Sequence, residues 1–468
     1  MAPQELPAQS AAPAKDTFYL AAWRWHFYAG IFAAPFMMML AVTGLVMMYI
    51  AVFDGRDGEK ITVPIGLEKV AIAEQANSAA KAFSSDAKLV EWIGPKEADR
   101  ASVFRINDGG TNHMVAVDPY TGEVVETWVR RNGWYDFMSD VHGELLIGTA
   151  GDRMIEIAAG FGIVLIITGL YLWWPKAKGA GSAFVPDLWA KGREFWVSLH
   201  KVVGTYSALI LFVFLLSGLA WAGVWGGKFV QPWSTFPAEK WNNVPLSDET
   251  HASMNHGAMK DVPWGLELTK MPLSGSDAGI AGLPEGVPAN VDTIAMLGHA
   301  LGYEGRFRVH YPKNATGVWT LSQDSMSNDS DDPTADRTVH IDQYTGKILA
   351  DVGFADYSLP AKGMAVGIAF HEGDMGLWNL VLNTVFCLGV IFLSVSGIVM
   401  WWIRRPKGSA LRVFAPKTPE NLPHWRGAMI LMLLVSLAFP LVGITLIVVL
   451  SLDYLIVKRV PLLRKAFA

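Results

Sequence analysis

Four histidines fall at the ends of long apolar segments, and they form two pairs related by an internal repeat. His26 opens a run with Gly30 four residues on and Gly44–Leu45 near its end; His200 repeats this with Gly204 and Gly218–Leu219 at identical spacing. His142 and His371 each lead into a helix-like run. One closes in Thr168–Gly169 and Trp173–Trp174–Pro175–Lys176, the other in Ser396–Gly397 and Trp401–Trp402. An imidazole at a membrane helix is costly without a partner, so four at repeat-matched places need a chemical reason. Axial ligation of haem iron is the simplest one. Duplicated halves place equivalent residues at equal depth, so His26 is expected to face His200, and His142 to face His371. His26 to Gly44 covers roughly 27 Å of helix at 1.5 Å per residue, which requires two haems rather than one. Gly30 and Gly204, one turn from their histidines, would leave room for a flat macrocycle. Gly44, Gly169, Gly218 and Gly397 read instead as sites of close helix packing. Arg24, Lys201 and Arg153 are candidates to pair with haem propionates, or else anchors at the membrane interface.

The elements that must position these residues are apolar spans. The chain has 468 residues, 51% hydrophobic and only 17% charged, with a mean hydropathy of +0.28; soluble domains carry roughly 25% charged residues. An integral membrane protein with sizeable watery parts is expected. Residues 1–22, rich in Pro and Ala at their start, read as a disordered N-terminus and not as a cleaved signal. Spans are expected over 23–53, 145–175, 195–227, 371–403 and 427–457, giving an α-helical bundle of about five transmembrane helices, internally duplicated. Pro440 lies inside the last, which is either one kinked helix or a tight re-entrant pair. The connections 176–193 and 404–426 are short and basic, so they belong in the cytoplasm. That leaves 54–141 and 228–370 as outer domains, and a multi-pass protein of a bacterial inner membrane with large periplasmic domains fits best.

These outer segments resemble each other. LEKVAIAEQANSAAKAF has helical periodicity and precedes the alternating strands VFRI, MVAVD and EVVETW; VDTIAMLGHALGY precedes FRVHY, GVWTLS, TVHID and KILAD. Both carry a tight turn, Asp118–Pro119–Tyr120–Thr121–Gly122 and Asp342–Gln343–Tyr344–Thr345–Gly346, in which Gly supplies a positive φ. The arrangement of WRWHFYAG, HGELL, LHKVVG, FHEGDMG and the two turns, from about Trp23 to Pro406, resembles the PepSY-associated transmembrane family. That resemblance implies two α+β PepSY-like domains outside the membrane and two b haems. It also implies electron delivery to a periplasmic acceptor, such as the ferric siderophores reduced by some members in iron uptake.

The only cysteine is Cys387, so no C-x-x-C-H attachment, iron–sulfur cluster or cysteine zinc site can form, and any haem is non-covalent haem b. No dinucleotide fingerprint, Walker motif or H-E-x-x-H is present. Electrons would therefore come from a cytoplasmic reductase, a quinol or a small reductant. A net charge of −5 without a basic run excludes nucleic acid as a partner; membrane lipid is the expected surrounding. A weaker cluster, His251, Met254, His256 and Met259, has the imidazole and thioether ligands that suit copper. The acidic run Asp324, Asp329, Asp331 and Asp332 could bind Ca²⁺ loosely, but it lacks EF-hand spacing and reads rather as a solvated loop. His299, His310 and His340 read as surface or packing residues. The alternatives to a haem-dependent oxidoreductase are a PepSY-like binding or regulatory protein on a membrane anchor, and a copper-handling protein.

Overall fold

The computed structural model describes residues 15–174, 180–241, 243–255, 262–405, 413–416, 426–452, 455–456 and 459–461. In chain order the helices are α1 (Lys15–Phe53), α2 (Ile72–Ala80), α3 (Trp134–Glu144), α4 (Thr149–Trp173), α5 (Arg193–Trp221), α6 (Val291–Ala300), α7 (Leu359–Glu372), α8 (Leu377–Arg404), α9 (Arg426–Ala438) and α10 (Pro440–Leu452). The strands are β1 (Lys88–Ile93), β2 (Ser102–Asp108), β3 (Thr111–Val117), β4 (Val124–Val129), β5 (Leu246–Thr250), β6 (Lys270–Pro272), β7 (Arg308–His310), β8 (Val318–Gln323), β9 (Arg337–Asp342) and β10 (Ile348–Gly353). They divide between a helical unit (1–42, 143–227 and 385–468) and a unit built on a sheet (43–142 and 228–384).

Among the described residues four helices are long and apolar enough to cross a membrane: Phe18–Phe53 of α1, then α4, α5 and α8. Within the helical unit they pack through small residues. Leu165 of α4 lies at Gly30 of α1, Leu393 of α8 at Gly204 of α5, and Leu215 of α5 against Gly162 of α4. Phe214 and Phe386 stack α5 on α8 with ring centres 4.5 Å apart. The expected fifth span is not one helix. α9 and α10 have 13 residues each, short of the roughly 20 a bilayer requires. A Cβ at Gly443 would come within 2.8 Å of the Ser436 Cβ, so the chain folds back at Phe439–Pro440. Proline supplies no backbone N–H there, and Val442 of α10 then rests on Gly160 of α4.

The third span ends at Trp221 rather than 227, and two other departures from the expected boundaries concern histidines. Leu145, Leu146 and Gly148 have positive φ, so α4 starts at Thr149 and not at Leu145. His142 lies near the C-terminal end of the separate helix α3. Likewise Gly373 (φ 89°) ends α7 in a left-handed cap, Gly376 is also positive, and α8 starts only at Leu377. His371 therefore sits at the end of α7 rather than at the head of a span.

The two outer modules do not form separate domains. Their strands make one antiparallel sheet in the order β10-β9-β8-β7-β1-β2-β3-β4. β1 and β7 join the repeats, with Trp92 opposite Val309. Each would otherwise be an unpaired edge, and their pairing removes both. β1 was not expected as a strand, because Lys88 and Glu91 interrupt its apolar pattern. α2 and α6 cover one face, and a single core built on Phe104, Ile294, Phe307, Val309, Leu321 and Ile341 runs across both repeats. Asp292 of α6 accepts the Ile72 and Ala73 N–H groups at the start of α2 at 2.6 and 3.2 Å, so the second repeat caps the N-terminus of the first repeat's helix.

The opposite face buries charge. Alternation along β1, β2 and β7 places Glu91, Arg105 and Arg308 together. Glu91 lies 3.1 Å from Arg105 and 3.4 Å from Arg308. Asp329 lies 3.1 Å from Arg306 and 2.9 Å from Arg308. The acidic run is thus solvated only in part: Asp331 and Asp332 are exposed, whereas Asp324 and Asp329 are buried. Asp329 has its side chain fully buried because two arginines on the sheet need an anion.

Both tight turns form as expected. Asp118 accepts from the Tyr120 N–H at 2.8 Å and Asp342 from the Tyr344 N–H at 2.8 Å. Gly122 and Gly346 have φ of 73° and 66°, the region in which glycine avoids a Cβ penalty.

Candidate functional site

α1 and α5 bring His26 and His200 together in the helical unit, their ring centres 6.4 Å apart and their planes at 86°. In the sheet unit α3 and α7 bring together His142 and His371, also at 6.4 Å and 86°. Two imidazoles on one metal, with bonds of about 2.0 Å each along one axis, place their ring centres about 6.2 Å apart. Both pairs match this spacing, which is too wide for stacked or directly hydrogen-bonded rings.

The other ring nitrogen of three of these histidines is held by a hydroxyl. His26 Nδ1 lies 2.9 Å from Thr168 Oγ1, and that hydroxyl donates to the Val164 carbonyl at 2.6 Å. It must therefore accept from His26 Nδ1–H, which leaves Nε2 as the lone-pair nitrogen. His200 repeats the arrangement: its Nδ1 lies 2.7 Å from Ser396 Oγ, which donates to the Leu393 carbonyl at 3.1 Å. His142 Nδ1 lies 2.8 Å from Thr43 Oγ1. A hydrogen bond at one ring nitrogen fixes the tautomer and aims the other at a metal. Burial, with His142 adjacent, pushes His371 down to about 3, so its ring is neutral, as a ligand must be.

Each of these hydroxyls directly precedes a repeated glycine, and the glycines make room for the rings. A Cβ at Gly169 would lie 3.1 Å from His26 Cε1; at Gly44 it would lie 3.8 Å from His142 Cε1, and at Gly397 4.0 Å from His200 Cε1. Three of the four glycines expected to serve helix packing, Gly44, Gly169 and Gly397, thus face imidazoles, while Gly218 meets nothing within 4 Å; Gly30 and Gly204, expected to clear a macrocycle, face leucines at 3.7 Å. Sequence reading missed Thr43, Thr168 and Ser396. The signal was the hydroxyl–glycine pair that recurs in Thr43–Gly44, Thr168–Gly169, Ser217–Gly218 and Ser396–Gly397.

The residues present therefore fit bis-imidazole ligation of two planar iron cofactors. The basic candidates are placed less favourably. Arg153 is paired with Asp152 and lies 3.8 Å from Glu156, so its charge is already neutralised. Arg24 donates to the Pro416 carbonyl at 2.5 Å and Lys201 lies 4.4 Å over the Trp173 ring. Two arginines not singled out before lie close to the histidine-bearing segments. Arg404 sits over Phe27, next to His26, at 5.0 Å. Arg56 is 3.1 Å from Glu372, next to His371.

The copper cluster does not assemble as expected. His256 and Met259 lie outside the described residues. His251 is fully buried, and its Nδ1 lies 2.7 Å from the Thr269 carbonyl, which can only accept. Its Nε2 lies 2.8 Å from His340 Nε2, and His340 Nδ1 lies 2.9 Å from Thr320 Oγ1. With both rings neutral, the chain of donors runs Thr320, His340, His251, Thr269, and no lone pair of His251 remains for a metal. Burial holds His251 down at about 4 and His340 well below its ordinary value, in keeping with neutral rings.

No curated protein matches the chain. The PepSY-associated TM region matches residues 23–404. That stretch takes in both histidine pairs and both repeats of the sheet, and this multi-pass membrane protein belongs to the PepSY-associated transmembrane family.

Proposed function

We propose that this protein is a membrane electron-transfer protein with two non-covalent b haems, held by His26 with His200 and by His142 with His371. The acceptor we propose is a periplasmic ferric chelate, with the sheet unit on the outer side of a bacterial inner membrane. One observation carries the reading: two independent histidine pairs have the same 6.4 Å separation and the same 86° angle. A structural pair of histidines has no reason to repeat that geometry, whereas a shared metal axis does. When bound, haem supplies a one-electron carrier, and the redox chemistry belongs to it.

The chain's own residues bind, orient and insulate. Thr168 and Ser396 hold His26 and His200 in the tautomer that offers Nε2, and Thr43 holds His142. Gly44, Gly169 and Gly397 leave the rings room to take up that orientation. One electron delivered to a chelate of Fe³⁺ gives Fe²⁺, which hard oxygen donors hold less tightly, so the metal is released.

The test is haem content by pyridine haemochrome together with the reduced-minus-oxidised spectrum. Two haems per chain are expected, falling to one in His26→Ala and to none in a His26→Ala, His142→Ala double variant. A protein purified from haem-replete cells without a b-type α band, or a band indifferent to both substitutions, refutes the proposal and leaves the binding-module alternative.

A further inference from the structure

β2 and β3 are joined by Gly109 and Gly110 alone, but the equivalent strands β8 and β9 are joined by residues 324–336. This insertion folds inward, and Asp324 and Asp336 are only 1% and 4% exposed. Asp329 is neutralised by its two arginines, but among the described residues no cation reaches ion-pair distance of Asp324 or Asp336. Each accepts one backbone N–H on a single oxygen, from Ser327 at 2.7 Å and Ser325 at 2.9 Å. The second oxygen of Asp324 is buried without a hydrogen-bond partner, and so is the Tyr357 hydroxyl. Asp324, Asp336 and Tyr357 line one small cavity of about 10 Å³, closed by Trp264, Ala361, Ala365 and Ile368.

The groups are close enough to feel one another's charge yet are separated by a gap that no direct hydrogen bond spans. Two buried carboxylates without a cation cost several kcal/mol each, so they must hold protons or a metal ion. Burial, with repulsion from Asp329 and only partial relief from Arg308, raises Asp324 to about 7, and burial with repulsion from Asp324 raises Asp336 to about 8, so near neutral pH the protons are readily displaced. We propose that Asp324, Asp336 and Tyr357 form a binding site for one hard divalent cation, calcium, which fastens the 324–336 insertion to α7. The donors are all oxygen, and the two carboxylates alone can offer four of them. With the Tyr357 hydroxyl and Ser325, which also lines the cavity, they reach the six oxygens that calcium accepts in irregular geometry, whereas magnesium demands an octahedron and keeps several waters. A cavity for one atom-sized species excludes organic ligands. Tyr357 leads into α7, whose face of Ala361, Ala365 and Ile368 walls the cavity, and α7 carries His371 near its C-terminal end.

The experiment uses the full chain in detergent micelles, stripped with a chelator and titrated calorimetrically with calcium chloride at about pH 8.5, above both carboxylates. One calcium per chain is expected, bound more than tenfold more weakly at about pH 6, with a rise in Tm on binding. Asp336→Asn should abolish the uptake. Tyr357→Phe, which leaves both carboxylates in place, should weaken it several-fold and covers the case in which Asp336→Asn fails to fold. No uptake at about 1 mM calcium, or uptake unaltered in both variants, overturns the site and leaves protons or a single water in the gap.

Discussion

Mild acid should open the sheet unit locally at His251 and His340. In the chain from Thr320 through the two imidazoles to the Thr269 carbonyl, both rings must be neutral. A proton added to His251 Nε2 places two donors 2.8 Å apart, and one added to His340 Nδ1 displaces the donation from Thr320. The folded state holds His251 at about 4, whereas an exposed histidine titrates at about 6.5. The opened state therefore takes up the extra proton first, and stability is lost as pH falls from about 6.5 toward 4. Between pH 7.5 and 4.5 linkage gives roughly 2.5 kcal/mol from His251 alone, or about 70-fold in the opening equilibrium; His340 acts in the same direction. A global melting temperature is the wrong readout. Asp324 and Asp336, raised to about 7 and 8, take up protons first in the folded state, so the same acidification stabilises them. Hydrogen exchange on peptides covering 250–254 and 337–342 isolates the pair. Protection there, corrected for intrinsic rates, should fall about 70-fold or more. His340→Gln, which can still donate to His251 and accept from Thr320, should show a shallower pH dependence. Protection that is flat from pH 7.5 to 4.5 would refute the assignment of neutral rings.

Two further outcomes are expected. Thr168→Val keeps the shape of the side chain but strands His26 Nδ1–H; loss of such a partner costs about 10–100-fold in metal affinity. Haem content by pyridine haemochrome should approach one per chain and recover in Thr168→Ser. Asp329→Asn leaves Arg306 buried without its anion and Arg308 with only Glu91 and Asp57, a change worth about 3–5 kcal/mol. Urea unfolding followed by limited proteolysis of the sheet unit should show it, and an unchanged midpoint would mean that other groups carry the arginines.

What the amino-acid order determines by itself is short-range. Apolar length marks the four spans, glycine with aspartate marks the turns at Asp118 and Asp342, and the repeat identifies which histidines are equivalent. Each of these signals is complete within a few turns of chain. The breaks at Leu145–Gly148 and Gly373–Gly376, by contrast, lie in backbone with positive φ, and hydropathy runs straight through them. The junction of β1 with β7 was hidden because the charged residue inside β1, Glu91, is buried by arginines from β2 and β7, which local alternation takes for solvent. His251 looked like a partner for Met254, its neighbour in sequence, and tertiary packing gave it His340 instead, 89 residues away. The same holds at the histidine pairs. Sequence could name the imidazoles, but the hydroxyls that orient them come from other helices, and only packing decides which nitrogen each ring presents.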